Sequence, residues 1–233
     1  MEIIKVLDRI LLFTHIFFAF GSLVIFWIPV ITKKGGKLHN KAGEAYVISM
    51  WFVLGTALLL SIHNFTQGDL FGGVFLGFLS ILTANPLWFG IAVLQKKKGL
   101  DADHNRKQML FNGAVALTGL MMIALGLYVG IPNGGILLII FGSIGATSGL
   151  SIYKDLRNPP TESDWLFTHV RGMITSGIAA YTAFFAFGGR SFFEGIFDGY
   201  LMVIPWIAPT VIGVTALRIL KKKYSVKYKR SKV

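Results

Sequence analysis

Histidine residues in and beside long apolar stretches are the side chains of this sequence best placed to do chemistry. His15 and His169 lie within such stretches, and His39 follows a Lys-rich segment. Paired neutral imidazoles can ligate haem iron from both sides, and three imidazoles with a carboxylate can hold zinc. An imidazole inside a membrane can also relay protons, because histidine titrates near neutrality. The sequence thus predicts His15, His39 and His169 as candidate metal ligands.

Arg171 lies two residues beyond His169, within the same apolar stretch. Its guanidinium could pair with a haem propionate or a lipid phosphate, or it could extend to the membrane interface, as cationic side chains near helix ends do. We group His15, His169 and Arg171 as candidate cofactor-binding residues. The cofactor itself stays open between haem b and zinc.

Two further polar features, His63 and the Asn85–Pro86 pair, lie at or within the apolar stretches. His63 lies just past the end of the second apolar stretch, where it could face His15. Asn85 precedes Pro86 in the middle of the third stretch, and a proline there removes a backbone donor and favours a kink. Such a kink could open a cavity or an ion path, or it could be a packing feature held by an interhelical hydrogen bond.

Several chemistries find no support in the sequence. There is no Cys, which excludes disulfides and thiolate nucleophiles. Neither a P-loop nor a G-x-S-x-G motif occurs. The carboxylates lie mostly between the apolar stretches, which argues against a carboxylate-driven proton or sodium transporter. Whether the protein is an enzyme is left open.

The elements that must position these residues are predicted to be membrane-spanning helices. The chain has 233 residues, of which 54% are hydrophobic and 15% charged, with a mean hydropathy of +0.63. A span needs about 20 apolar residues, and within lipid each segment must satisfy its own backbone hydrogen bonds. We predict an all-α, polytopic bundle, a single domain over 1–233, with seven spans: 10–31, 45–62, 71–94, 109–129, 135–152, 165–187 and 200–220.

Charge between the spans predicts the orientation. The net charge is +12, and 19 of the 23 Lys and Arg residues lie in the first, third and fifth connections and in the tail from about residue 218. The positive-inside rule then places the N-terminus outside and the C-terminus in the cytoplasm of a cell (inner) membrane. This distribution accounts for the basic charge without nucleic acid as a partner. The predicted partner is the lipid bilayer; the tail could also bind anionic lipids or serve only as a topology anchor. The sequence does not determine the oligomeric state.

The order of several residues resembles a family of bacterial integral membrane proteins, the "domain of unknown function 2306" family. The opening of that family runs H-x-x-x-G, then K-G-x-x-H, then x-x-x-G-x-x-Y. The residues of this chain that resemble it are His15 to Gly21, Lys33 to His39, and Gly43 with Tyr46. In the second half, the matching residues are Trp165, His169, Met173, Tyr181, Trp206 and Pro209. Glu44 stands where the family usually has Arg, and Asn40 where it usually has a basic residue. The resemblance implies a helical membrane protein and leaves the activity open.

Four functions are compatible with these residues. The first is a haem-binding or redox membrane protein that uses His15 and His169, and the second is a small-solute or proton carrier. The third is a zinc-dependent membrane hydrolase with Asp155 or Glu44 as the carboxylate, and the fourth is a membrane scaffold without chemistry.

Overall fold

The described part of the chain is helical apart from short connections. The computed structural model describes residues 2–95, 102–131, 134–157, 165–189, 192, 196 and 204–230, and these ranges contain no strand. Helices satisfy their backbone groups internally, which is the requirement that an apolar environment imposes on these hydrophobic segments. The predicted all-α class is confirmed.

Four long helices form the first part of the chain. They are α1 (Glu2–Ile31), α2 (Lys37–Thr66), α3 (Leu70–Ala92) and α4 (Ala102–Val129). Each contains a predicted span, or nearly all of one; α3 is extended by a 3₁₀ turn over Val93–Gln95. The largest differences are at the starts of α1, α2 and α4, where the helix continues into charged sequence. Hydropathy detects only the apolar part of a helix, whereas backbone hydrogen bonding extends beyond it.

The remaining helices differ more from the predicted spans. The span over 135–152 is interrupted: α5 (Gly135–Ala146) ends before Thr147, and α6 (Ser148–Arg157) follows. Glycine and serine around this point are weak helix formers. Helix α7 (Trp165–Ala183) continues as a short π-helix over Phe184–Gly188. Helix α8 (Ile204–Arg230) runs through most of the predicted basic tail, although side chains beyond residue 222 are outside the described ones.

Within the described residues, six stretches are long and apolar enough to cross a membrane. They are Asp8–Ile31, Lys37–Thr66, Leu70–Gln95, Asn105–Val129, Gly135–Lys154 and Ile204–Lys222. Helix α7, which corresponds to the predicted span over 165–187, is not among them, since His169, Arg171 and several small polar residues lower its hydropathy. The length and apolar composition of these six stretches agree with the prediction, whereas seven spans and the orientation stay predictions.

The chain divides into two compact units. The first unit comprises Met1–Asn85 and Lys96–Asp164, and the second comprises Pro86–Gln95 and Trp165–Val233. The boundary falls inside the continuous helix α3, between Asn85 and Pro86. The single domain over 1–233 stays a prediction.

Glycines bring α4 and α5 close together in the first unit. A Cβ on Gly119 would lie 2.6 Å from the Gly142 carbonyl oxygen, and one on Gly126 would lie 2.6 Å from the Gly135 carbonyl oxygen. The connection between the helices contains Gly130 and Gly134 at φ values of +84° and +89°, a conformation that favours glycine. Close approach of backbones is a common basis of helix packing in membranes.

Candidate functional site

Helices α1 and α2 form an antiparallel pair whose contacts keep a nearly constant register. The five residues from 32 to 36 reverse the chain. As the residue number rises along α1, the contacted residue number falls along α2. The contacts that establish this register are Asp8–His63, His15–Thr56, Phe18–Phe52, Phe26–Tyr46 and His39–Pro29.

His15 contacts the hydroxyl of Thr56 across this helix pair. Its Nδ1 lies 2.9 Å from Thr56 Oγ1, and that hydroxyl donates its own proton to the backbone oxygens of Phe52 and Val53. The Thr56 oxygen is therefore the acceptor, and His15 Nδ1 carries the donated hydrogen. In a neutral imidazole this leaves the lone pair on Nε2, the nitrogen that can accept a proton or bind a metal.

His63 contacts a carboxylate instead of His15. His63 Nδ1 lies 3.2 Å from Asp8 Oδ1, and both side chains are partly exposed. Seven residues separate Asp8 from His15 on α1, which is about 10 Å along a helix. The direct His15–His63 pairing that the sequence suggested is therefore absent, and each histidine has a different partner.

His39 lies at the predicted cytoplasmic end of the same helix pair. Its Nδ1 donates to the backbone oxygen of Pro29 over 3.0 Å, and Lys34 Nζ donates to the same oxygen over 2.6 Å. Helix α1 ends at Ile31, so the last carbonyl groups have no further helical donor. His39 thus satisfies a helix C-terminus, a position where a basic side chain is favourable.

His169 has a similar contact in the second unit. Its Nδ1 donates to the backbone oxygen of Gly90 over 2.7 Å, close to the end of α3. One turn further along α7, a Cβ on Gly172 would lie only 2.6 Å from both Gly90 Cα and the Pro86 backbone oxygen. The two helices are therefore in backbone contact beside His169. Arg171, between His169 and Gly172, is exposed.

Asn85 is held by a buried amide on α4. Asn85 Nδ2 donates to Asn112 Oδ1 over 2.8 Å, and the two residues are 8% and 6% exposed. Helix α3 continues through Pro86 to Ala92. Of the two interpretations of the Asn85–Pro86 pair, the interhelical hydrogen bond is the one observed.

Several partners of these residues were not predicted from the sequence. Asn112 could have been predicted from the sequence as a partner, because an amide within an apolar stretch needs a hydrogen bond. There was less reason in the sequence to expect a contact between helices at Thr56, since a hydroxyl can bond within its own helix, or at Asp8, which precedes the predicted span. Their importance follows from the α1–α2 register, which hydropathy does not specify.

The predicted ligands do not come together within the first unit. His15 has its contact near the middle of the α1–α2 pair and His39 at one end of it, and the 14 residues from His15 to Pro29 span about 20 Å of helix. His169 belongs to the second unit. Among the residues that the structure describes, no group of three or more His, Asp or Glu side chains could hold a metal ion. Haem or zinc binding through His15, His39, His169 and Arg171 stays a prediction.

Comparisons with known proteins add no relative: no family model, curated protein or solved structure matches this chain. The resemblance to the "domain of unknown function 2306" family therefore depends on the quoted residues alone.

Proposed function

We propose that this chain is a multi-pass protein of a bacterial cytoplasmic membrane, with its N-terminus outside and its C-terminus in the cytoplasm. Six apolar helices of sufficient length support the membrane assignment. The concentration of Lys and Arg in alternate connections and in the tail supports the orientation. The family resemblance agrees with a bacterial membrane protein.

Within this class, we infer that the protein moves protons, alone or together with a small solute, and that His15 is the group that takes up and releases them. The observation that carries this proposal is the His15–Thr56 contact inside an apolar helix pair. Thr56 fixes the imidazole so that Nε2 is the basic nitrogen. Ionisable side chains within membrane spans are costly and commonly mark ion or proton pathways.

The test is proton flux into liposomes that contain the purified protein. A potassium diffusion potential drives protons inward, and an entrapped pH-sensitive dye reports acidification. We expect His15→Gln to reduce the flux by about a hundred-fold, as the loss of a positioned acid–base group does. Thr14→Val is the matched control, because the Thr14 hydroxyl donates to the Ile10 backbone oxygen of its own helix. Wild-type flux equal to that of empty liposomes would refute the proposal.

Haem binding is the second candidate. His15 and His169 each direct Nδ1 to an acceptor in the protein, and histidines that ligate metals through Nε2 usually have such a bond. An absorption spectrum of protein produced with haem supplied should then show a Soret band that shifts on reduction and is lost in His15→Ala or His169→Ala. Metal analysis of the same sample tests the zinc-hydrolase alternative. A colourless, zinc-free protein would count against both.

A further inference from the structure

A series of polar residues with seven-residue spacing follows the contact between α1 and α2. On α1 the series is Asp8, His15 and Ser22, and on α2 it is His63, Thr56 and Ser49. Seven residues are nearly two helical turns, so each series stays on one side of its helix. The α1–α2 register places the first two members opposite each other, as Asp8–His63 and His15–Thr56.

Exposure falls along this series from the amino-terminal end of α1. The side chains of Asp8 and His63 are 33% and 27% exposed, whereas Thr56, Ser49 and Ser22 are 7%, 8% and 1% exposed. The Ser22 hydroxyl donates to the Ala19 backbone oxygen within α1. The ionisable part of the series therefore begins at a partly exposed acid–base pair and ends at His15.

We propose that Asp8 and His63 form the proton entry site that supplies His15 from this end of the helix pair. This inference rests on the proposed proton-transfer function and names its point of access. A carboxylate beside an imidazole can take a proton from water and release it again, because either group can hold it. The attraction of the carboxylate for cations also raises the local proton concentration.

The transfer itself is a simple exchange. An O–H bond of protonated Asp8, or an N–H bond of protonated His63, breaks as the proton passes to water. That first transfer leaves Asp8 as the carboxylate or His63 as the neutral imidazole. The hydronium ion that it forms then gives its extra proton to His15 Nε2, where a new N–H bond forms and neutral water is regenerated. Water must bridge the gap between the Asp8–His63 pair and His15. The two helical turns between them span about 10 Å, which exceeds hydrogen-bond distance.

Other charged side chains described at this end have different surroundings. Arg9 is exposed. Asp69, in the connection between α2 and α3, accepts the Gly72 backbone N–H over 2.8 Å and so caps α3. Asp69→Asn is consequently a matched control. It removes a carboxylate just beyond the end of α2 that carries His63, and asparagine is an equally good helix cap.

The experiment compares proton flux into proteoliposomes for wild type, Asp8→Asn, Asp8→Glu, Asp69→Asn and His15→Gln. We expect Asp8→Asn to lower the flux by about ten-fold, the scale of a local charge effect on association. Asp8→Glu should restore most of it, and Asp69→Asn should leave it unchanged. Circular dichroism and size-exclusion chromatography of each variant establish that it is folded.

The possible outcomes separate the two proposals. If Asp8→Asn retains wild-type flux while His15→Gln abolishes it, Asp8 is not an entry site and the proposed function survives. If Asp69→Asn lowers flux as much as Asp8→Asn, the effect is one of general surface charge and the entry site is refuted. If the wild-type protein carries no protons, both proposals fail.

Discussion

Three polar side chains of the helices, on α1, α3 and α7, are held by partners on a neighbouring helix. His15 contacts Thr56, His169 contacts the Gly90 backbone, and Asn85 contacts Asn112. An unpartnered polar group in an apolar environment is costly. Each contact therefore stabilises the packing of two helices, whatever further chemistry the side chain performs.

The Asn85–Asn112 bond gives the clearest prediction for a single residue. Asn85→Ala removes the donor and leaves the Asn112 amide buried, so we expect the free energy of unfolding to fall by about 1 kcal/mol. Unfolding in mixed detergent micelles, followed by circular dichroism, measures the change. Ser143→Ala is the control, because Ser143 is exposed and bonds to Ile139 of its own helix.

The double variant Asn85→Ala/Asn112→Ala provides a further check. If the hydrogen bond couples the two sites, the double variant should lose less stability than the two single variants together. Strictly additive losses would show that the amides do not interact, contrary to the 2.8 Å contact.

Pairs of helices are the elements that create the candidate sites. The α1–α2 pair places Asp8, His15, His63 and Thr56 along one contact. The end of α3 and helix α7 meet at glycines, which allows His169 to reach a backbone oxygen. The His169 contact thus depends on small residues one turn away. These glycines have no reactive side chain, so their role follows only from the helix packing.

Gly172→Ala tests that dependence. The added Cβ would lie 2.6 Å from Gly90 Cα, so the helices must separate. We expect a loss of about 1–3 kcal/mol in stability, the usual cost of overpacking. Tryptophan fluorescence during detergent unfolding reports it, since Trp165 and Trp206 belong to the second unit.

Gly43→Ala is the matched control for the glycine experiment. A Cβ there meets nothing within 4 Å, and alanine in a helix is favoured over glycine by about 0.5–1 kcal/mol. Stability should therefore stay the same or rise. Equal losses at the two positions would argue against close α3–α7 packing as the cause.

At the scale of the whole molecule, the main features are long apolar helices and an uneven distribution of basic residues. In the part of the chain that the structure describes, six helical segments are long and apolar enough to cross a membrane, and the basic residues of the sequence concentrate in alternate connections. The absence of cysteine from the sequence makes orientation directly measurable, because every thiol is then an introduced one.

Single cysteines test the orientation of the first three helices. Gln67 and Lys41 are exposed and lie on opposite sides of the predicted span over 45–62. With the N-terminus outside, an impermeant maleimide should label Gln67→Cys in intact cells and Lys41→Cys only after permeabilisation. The reverse pattern would overturn the predicted orientation.

A cysteine at Phe192 tests the predicted span over 165–187. Phe192 is exposed and follows α7 and its π-helical extension. If α7 crosses the membrane from the cytoplasm, Phe192→Cys should react in intact cells as Gln67→Cys does. Protection until permeabilisation would mean that α7 does not span, in agreement with its low hydropathy.

Local composition is enough to determine that this protein is helical and apolar, because each long hydrophobic run must satisfy its backbone bonds within itself. It also identified His15, His169 and Asn85 as costly polar groups that would need partners. The identity of the partners was decided only by tertiary structure. Each partner is distant in sequence from the residue that it contacts: Thr56 from His15, Gly90 from His169 and Asn112 from Asn85. Helix register and close backbone approach bring them together. Hydropathy records which residues prefer an apolar environment, but it contains no information on which face of a helix meets which neighbour.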